Sequence, residues 1–242
     1  MRIGIISDIH SNREALEAVL QDISLQKVEE VWCLGDIVGY GPDPNECINL
    51  VRSNIMICVA GNHDHAVAGI IEPFNFDPDA EKACLWTRAA LTEESKEYIA
   101  SMPLKLVIGN FTLVHGSPRE SFEYITSSFE AKEALPYLKS FFCLIGHSHI
   151  PMILRPGEET KRRNSYPTNL RKVTLTEHAT FINPGSVGQP RDGNPKSSYM
   201  IYDSNSNQVI HRRVVYDVNS TRQKMMSVGL PAWLGDRLLT GC

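Results

Sequence analysis

Residues 2–7 (Arg-Ile-Gly-Ile-Ile-Ser) form an apolar run too short for a helix, and in residues 12–25 the apolar positions Ala15, Leu16, Val19, Leu20 and Ile23 fall at helical spacing. The chain thus opens with a strand followed by a helix. The alternation recurs: residues 30–34 read as a strand before Gly35-Asp36, residues 45–52 as a helix, and residues 55–60 as a strand before Gly61-Asn62-His63-Asp64. Strands apolar on both faces that alternate with helices predict an α/β sheet covered by helices. Residues 79–90 and 92–100 read as two further helices, the second opened by Thr92 and Ser95 with Glu93 and Glu94 in its first turn. Beyond them the texture changes. Residues 104–108 and 111–114 flank Gly109-Asn110, a two-residue hairpin signal, and residues 198–203 and 208–215 flank a turn at 204–207. The second half is therefore expected to lean towards an antiparallel sheet. The Pro/Gly-rich stretches 40–44 and 183–195 read as ordered loops, and the chain has neither an internal repeat nor a low-complexity tract.

The length of 242 residues, with 42% hydrophobic and 21% charged residues, is ordinary for a soluble globular protein and predicts one domain over residues 1–242. A formal charge of -4 gives no general attraction to nucleic acid or anionic membranes, so an anionic substrate needs a local positive feature. The six cysteines form no Cys-x-x-Cys pair, and Cys33, Cys58 and Cys143 lie in apolar runs, so all are expected to be reduced. The first apolar stretch reaches Asp8 at once, and no apolar run approaches ~18 residues, so a cytoplasmic protein is expected.

Polar clusters punctuate this frame: Asp8-Ile9-His10, Gly35-Asp36, Gly61-Asn62-His63-Asp64, His115-Gly116, and the histidine pair of Leu144-Ile145-Gly146-His147-Ser148-His149-Ile150-Pro151. In an extended chain residues i and i+2 share a face, so His147 and His149 are expected to aim two imidazoles into one volume. Four of the clusters follow directly on a predicted strand, and the carboxyl ends of strands in open α/β sheets are where ligands bind. Taken singly, a strand-end aspartate is more often a cap and a buried histidine more often a hydrogen-bonded core residue. Taken together, they form an oxygen and nitrogen ligand inventory too large for one tetrahedral zinc and free of thiolate, suited to two divalent ions.

The order D-x-H, G-D, G-N-H-D, H-G, G-H-x-H resembles the calcineurin-like metallophosphoesterase superfamily, and the wording around Asp8, Asp36 and 182–193 resembles its compact bacterial phosphodiesterase branch. The likeness reaches Gly193; the last fifty or so residues lie outside recognisable motifs. It implies a four-layer αββα sandwich of two mixed sheets flanked by helices, with metals at the strand ends. It further implies that Asp8, His10 and His149 hold a first metal, Asn62, His115 and His147 a second, and that Asp36 bridges both, with Ser148 pointing away. The two ions are expected to be manganese, with iron, nickel, cobalt or zinc as alternatives. With two carboxylates and a bridging hydroxide the centre carries a charge of about +1, which draws a phosphate and supports in-line attack by the hydroxide.

The resemblance makes His63 the general acid for the leaving oxygen, and Asp64 beside it is expected to orient that imidazole. Asn12, Tyr40 and Arg191 are candidate substrate contacts, with loop packing or helix capping as the competing reading for Asn12 and Tyr40. The expected substrate is a small phosphodiester, nucleotide or phosphomonoester. Protein phosphatases and dinucleoside polyphosphatases of the superfamily usually carry an arginine soon after G-D, where this chain reads Ile37-Val38-Gly39-Tyr40-Gly41; this lowers the protein phosphatase reading. Lys161-Arg162-Arg163 and Arg171-Lys172 raise a nuclease, although such a run is more often simply solvated, and residues 155–172 are a candidate flap. A dinucleoside polyphosphate hydrolase is a further reading. A non-catalytic scaffold is the alternative of another class, opposed by the filled ligand positions and His63. Because histidine ligands must be neutral, activity is expected to fall as pH drops through roughly 6.

Overall fold

The computed structural model describes residues 1–157 and 172–242. Strand β1 (Arg2–Ile6) leads to helix α1 (Arg13–Leu25), β2 (Glu30–Cys33) to α2 (Pro44–Asn54), and the short β3 (Ile57–Cys58) to α3 (Asn62–Val67). Helices α4 (Pro78–Ala90) and α5 (Glu93–Ser101) follow, then β4 (Lys105–Ile108), β5 (Phe111–Val114), α6 (Ser128–Ala134), β6 (Phe142–Leu144) and β7 (Pro151–Leu154). The chain continues through β8 (Val173–Thr174), β9 (Thr180–Pro184), β10 (Ser197–Asp203), β11 (Gln208–Val214), α7 (Val218–Ser227) and α8 (Ala232–Asp236). Helix starts carry the expected chemistry: Asn12, Asp77 and Thr92 cap α1, α4 and α5 with side-chain oxygens that accept backbone N–H groups.

Among the described residues the strands form two mixed sheets, one in the order β3-β2-β1-β10-β11-β8 and the other β4-β5-β6-β9-β7. Both predicted hairpins exist, β4 with β5 and β10 with β11. The expected antiparallel character of the second half is corrected in two respects. The β10–β11 hairpin joins the first sheet, antiparallel to β1, while β5, β6 and β9 pair in parallel as the centre of the second. Their residues are buried on both faces, as suits parallel strands covered on each side.

Alternating side chains sort the core into layers. Ile3, Ile5, Leu34, Leu113, Leu144 and Ile182 meet between the two sheets. Ile6, Cys33 and Ile201, on the other face of the first sheet, pack with Leu16, Val19, Ile48 and Val51 of α1 and α2. Cys143 and Phe181, on the outer face of the second sheet, pack with Ala131 and Ala134 of α6. Helix, sheet, sheet and helix therefore succeed one another, which is the four-layer sandwich. The C-terminal segment, which lacks motifs, buttresses the rest of the fold. Met225, Leu230, Leu234 and Leu238 pack with Tyr40, Ala80 and Ala83, so α7, α8 and the turn beyond support the loop after β2 and helix α4.

All six cysteines are free. Among the described residues no helix is long and apolar enough to cross a membrane. The candidate flap at 155–172 and the basic residues Lys161, Arg162, Arg163 and Arg171 fall outside the described residues except at the flap's two ends.

Candidate metal centre

Strands β1, β2 and β3 run parallel in one sheet, and β5, β6 and β9 in the other, so in each sheet these carboxyl ends share an edge. Asp8 and His10 follow β1, Asp36 follows β2, Asn62 opens α3 beyond β3, His115 ends β5's run, and His147 and His149 follow β6. Asp8, His10, Asp36 and His149 bring ligand atoms within 4.8 Å of one another, as do Asp36, His115 and His147, so Asp36 belongs to both groups. The two histidines of the Gly146–Ile150 turn thus face different groups.

They do so by a route other than an extended strand. His147 and His149 have φ of 65° and 59°, in the left-handed region, and β6 has already ended at Leu144. Ser148 turns away and accepts a hydrogen bond from Asn183 Nδ2 at 3.0 Å. Asp8, His10, Ser11, Asp36 and Tyr40 are also left-handed, so seven of the nine such non-glycine residues among the described residues lie in these loops. Each costs about 1–2 kcal/mol against an ordinary conformation. Strain concentrated this way marks loops whose geometry serves the site. Close approach adds a second constraint: a Cβ on Gly61 would lie 2.0 Å from Asp36 Oδ1.

Three of the four ligand imidazoles are oriented from behind. The Nδ1 atoms of His10, His115 and His149 bond the carbonyls of Val38, Leu34 and Gln189 at 3.1, 2.7 and 2.7 Å, so Nδ1 carries the hydrogen and Nε2 turns its lone pair inward. His10 Nε2 and His149 Nε2 then face one another at 3.0 Å, two acceptors that need a cation or a proton between them. Asp8 Oδ1 accepts from the His147 N–H at 3.2 Å and Asp36 Oδ1 from the His63 N–H at 2.9 Å. Asp8 Oδ2 and Asn62 Oδ1 are buried without a hydrogen-bond partner, and Asp36 Oδ2 lies 3.2 Å from His115 Nε2, with which it can share a proton. Orphaned buried acceptors are costly unless a cation satisfies them, and this nitrogen and oxygen set fits borderline divalent ions.

The electrostatics follow from burial and from the two carboxylates. Burial pushes Asp8 up to about 7, helped by Asp36. Burial also acts to raise Asp36, but His115, His63 and His10 outweigh it and hold that carboxyl well below its usual range. His115 is the reverse case: burial lowers it, yet Asp36, 3.2 Å away, lifts it to about 10. Burial drives His10 and His149 well below their ordinary value, His63 to about 4 and His147 to about 3. Without metal, one proton on His115 therefore occupies part of the cationic space.

His63 sits beside the ligand groups with its ring between Tyr40 and Phe76, at centroid distances of 4.5 and 4.6 Å. Its Nδ1 is buried without a partner, and Gly39, at φ 92°, passes so close that a Cβ there would lie 2.7 Å from that atom. Asp64, the neighbour expected to orient this imidazole, bonds backbone N–H groups. Asp64 Oδ1 accepts from the Val38 N–H at 3.2 Å and Oδ2 from the Gly61 N–H at 3.0 Å, so the carboxyl braces the two ligand loops through backbone. Asn12 is likewise a capping residue. Its Oδ1 accepts from the Ala15 N–H and the Thr221 hydroxyl and its Nδ2 donates to the Gly188 carbonyl, and the side chain is buried.

Tyr40 and Arg191 do reach the open space. They line a pocket of about 570 Å³ together with Asn62, His63 and His147. Arg191 is held by Gln189 Oε1 at 2.8 Å and the Tyr40 hydroxyl at 3.4 Å, its guanidinium 5.7 Å from the Tyr40 ring centroid. The sequence reading misses Tyr124, which stacks on His147 at 3.8 Å with planes 21° apart. It also misses the carbonyls of Leu34, Val38 and Gln189, since a backbone oxygen leaves no mark in residue type.

Residues 1–207 match the family model of the calcineurin-like phosphoesterase superfamily domain. A crystal structure of a metallophosphoesterase from Sphaerobacter thermophilus is 40% identical, with a TM-score of 0.89 over 100% of this chain and 99% of that one. An uncharacterized protein of Methanocaldococcus jannaschii is 39% identical over 99% of this chain and 98% of its own length. A symmetrical bis(5'-nucleosyl)-tetraphosphatase of Psychromonas ingrahamii is 28% identical, but the match covers only 48% of this chain and 44% of that enzyme.

Proposed function

The chain belongs to the calcineurin-like phosphoesterase superfamily, a metal-dependent phosphoester hydrolase by that membership, and on that premise we propose that it cleaves a small phosphodiester, nucleotide or phosphomonoester at a two-metal centre. One observation carries the reading: two groups of ligands share Asp36, and the acceptors Asp8 Oδ2 and Asn62 Oδ1 among and beside them are buried without a hydrogen-bond partner. In this proposal Asp8, His10, Asp36 and His149 hold one ion, and Asp36, Asn62, His115 and His147 the other. Manganese is the first candidate, with iron, cobalt, nickel and zinc compatible with the same donors. When bound, such ions supply Lewis-acid charge to the phosphoryl oxygens and lower the pKa of water.

The protein's own groups do the remainder. The Arg191 guanidinium, kept in place by Gln189 and Tyr40, binds the phosphoryl oxygens where the pocket meets the ligand loops. His63, neutral in the free protein because burial holds it near 4, takes up a proton as the phosphate's negative charge arrives and returns it to the leaving oxygen. Tyr40, Phe76 and Gly39 confine its ring to one position. Asp64 contributes by bracing the loops that carry Asp36 and Asn62. Residues 1–242 act as one unit in this reading, because the C-terminal helices support Tyr40 from below.

The test is hydrolysis of bis-p-nitrophenyl phosphate beside p-nitrophenyl phosphate, after chelation and Mn²⁺ re-addition, with Asp36→Asn as control. Metal-restored turnover that disappears in the variant supports the reading, and the rate ratio gives the diester or monoester preference. Absence of both metal binding and turnover would return the chain to a scaffold.

A further inference from the structure

The pocket extends well beyond the ligand groups. Its inner end is polar, formed by Asn62, His63, His147 and Arg191, and its outer walls come from two loops. One contains the 3-10 turn Pro73–Asn75 and supplies Phe74 and Phe76; the other lies between β5 and α6 and supplies Phe122 and Tyr124. Two of these rings stand clear of the core. Phe74 is 70% exposed and Tyr124 50%, and a cluster of open aromatic faces in a concave site marks a place for a ligand. Two of the rings continue the surface of the site's imidazoles: Tyr124 lies on His147 and Phe76 against His63.

The lining carries both signs of charge. Among the described residues that line it, Arg191 is the one cation, and Glu72 and Asp77 are the two carboxylates. Asp77 caps α4, accepting the Asp79 and Ala80 N–H groups at 3.1 Å, and Glu72 approaches Arg88 at 3.8 Å. One phosphoryl group at the inner end meets a cation. Further phosphates in the pocket would meet two carboxylates and aromatic faces.

We propose that the outer pocket receives the flat ring of a substrate bearing a single phosphoryl group, the chemical class of a nucleoside monophosphate or its ester, and that it disfavours polyphosphates. The proposal rests on the phosphoesterase reading for the location of the phosphate. It sets this chain apart from the tetraphosphate class named for the partial relative.

Calorimetric binding of adenosine 5'-monophosphate, ribose 5-phosphate and adenosine 5'-triphosphate to the full chain tests it, with Mn²⁺ in excess over total nucleotide. Adenosine monophosphate is expected to bind about tenfold tighter than ribose 5-phosphate, the scale of one base stacked on aromatic rings, and tighter than the triphosphate. Phe74→Ala, at a residue exposed enough to spare the fold, and Phe122→Ala are each expected to weaken adenosine monophosphate at least threefold and to leave ribose 5-phosphate binding in place. Glu72→Gln is expected to narrow the gap between monophosphate and triphosphate. Equal binding of ribose 5-phosphate and adenosine monophosphate, preference for the triphosphate, or indifference to both phenylalanine variants would each overturn the proposal. Turnover of bis-p-nitrophenyl phosphate, measured on the same preparation, separates the two readings. If it is present without ring-dependent binding, the pocket proposal alone fails; if ring-dependent binding occurs without turnover, the pocket proposal stands and the hydrolase reading fails.

Discussion

Loading the centre with metal must expel protons, and the structure sets how many. At pH 7 His115, lifted to about 10 by Asp36, carries a proton, and Asp8, raised to about 7 by burial, takes up its own as pH falls through neutrality. Asp36 is ionised, and burial keeps His10, His147 and His149 neutral, so these four release nothing. Ions that take the lone pairs of His115 and Asp8 therefore release about one proton, that of His115, above neutrality and a growing share of a second, that of Asp8, as pH falls. Any proton lost by water on the ions adds to this floor. The sign is fixed: protons compete with metal, so affinity rises with pH, by about one logarithmic unit or more per pH unit near neutrality. Activity at limiting metal should fall as pH drops from 8 to 6, before the ordinary histidine range is reached. Calorimetric titration of chelated protein with Mn²⁺ in buffers of different ionisation enthalpy reads the proton number directly. A release below about half a proton throughout pH 6–8 would refute the protonated His115 and, with it, this account of the metal-free centre.

The remaining predictions concern single side chains. His63→Ala should retain metal and lose about 10²–10⁴-fold in kcat on esters with poor leaving groups, with a smaller loss on p-nitrophenyl esters; equal losses would remove the acid role. Arg191→Ala should raise KM severalfold for either p-nitrophenyl ester, and a change below twofold would exclude a phosphate contact. Asn12→Ala removes a helix cap and leaves the Gly188 carbonyl unpaired, so thermal or denaturant unfolding should show a loss of about 1–3 kcal/mol, with KM little altered. Gly39→Ala meets a left-handed φ and the His63 ring together. It should lower kcat more than metal content, and metal analysis beside turnover decides.

Residue order alone was enough to locate the elements and the ligand inventory. Apolar runs with helical or strand spacing marked the strands and helices of residues 1–114, because a chain must cover each apolar face and its period shows which face that is. Asp8, His10, Asp36, Asn62, His115, His147 and His149 were legible as candidates because their residue types stand at strand ends, where parallel sheets gather ligands. Which of them meet was settled by the packed fold. His147 and His149 lie two residues apart and face different groups because both are left-handed, a backbone state that neither residue type announces. Asp64 and Asn12 carry the same polar groups whether they cap backbone or contact substrate; which they do depends on the N–H and carbonyl groups that distant segments bring to them. The pairing of β10 with β1, the support of Tyr40 by residues 225–238 and the stacking of Tyr124 on His147 join segments far apart in the chain. Periodicity and residue type report local conformation and burial. Proximity across the chain is a property of the packed whole, and the chemistry of this site depends on it.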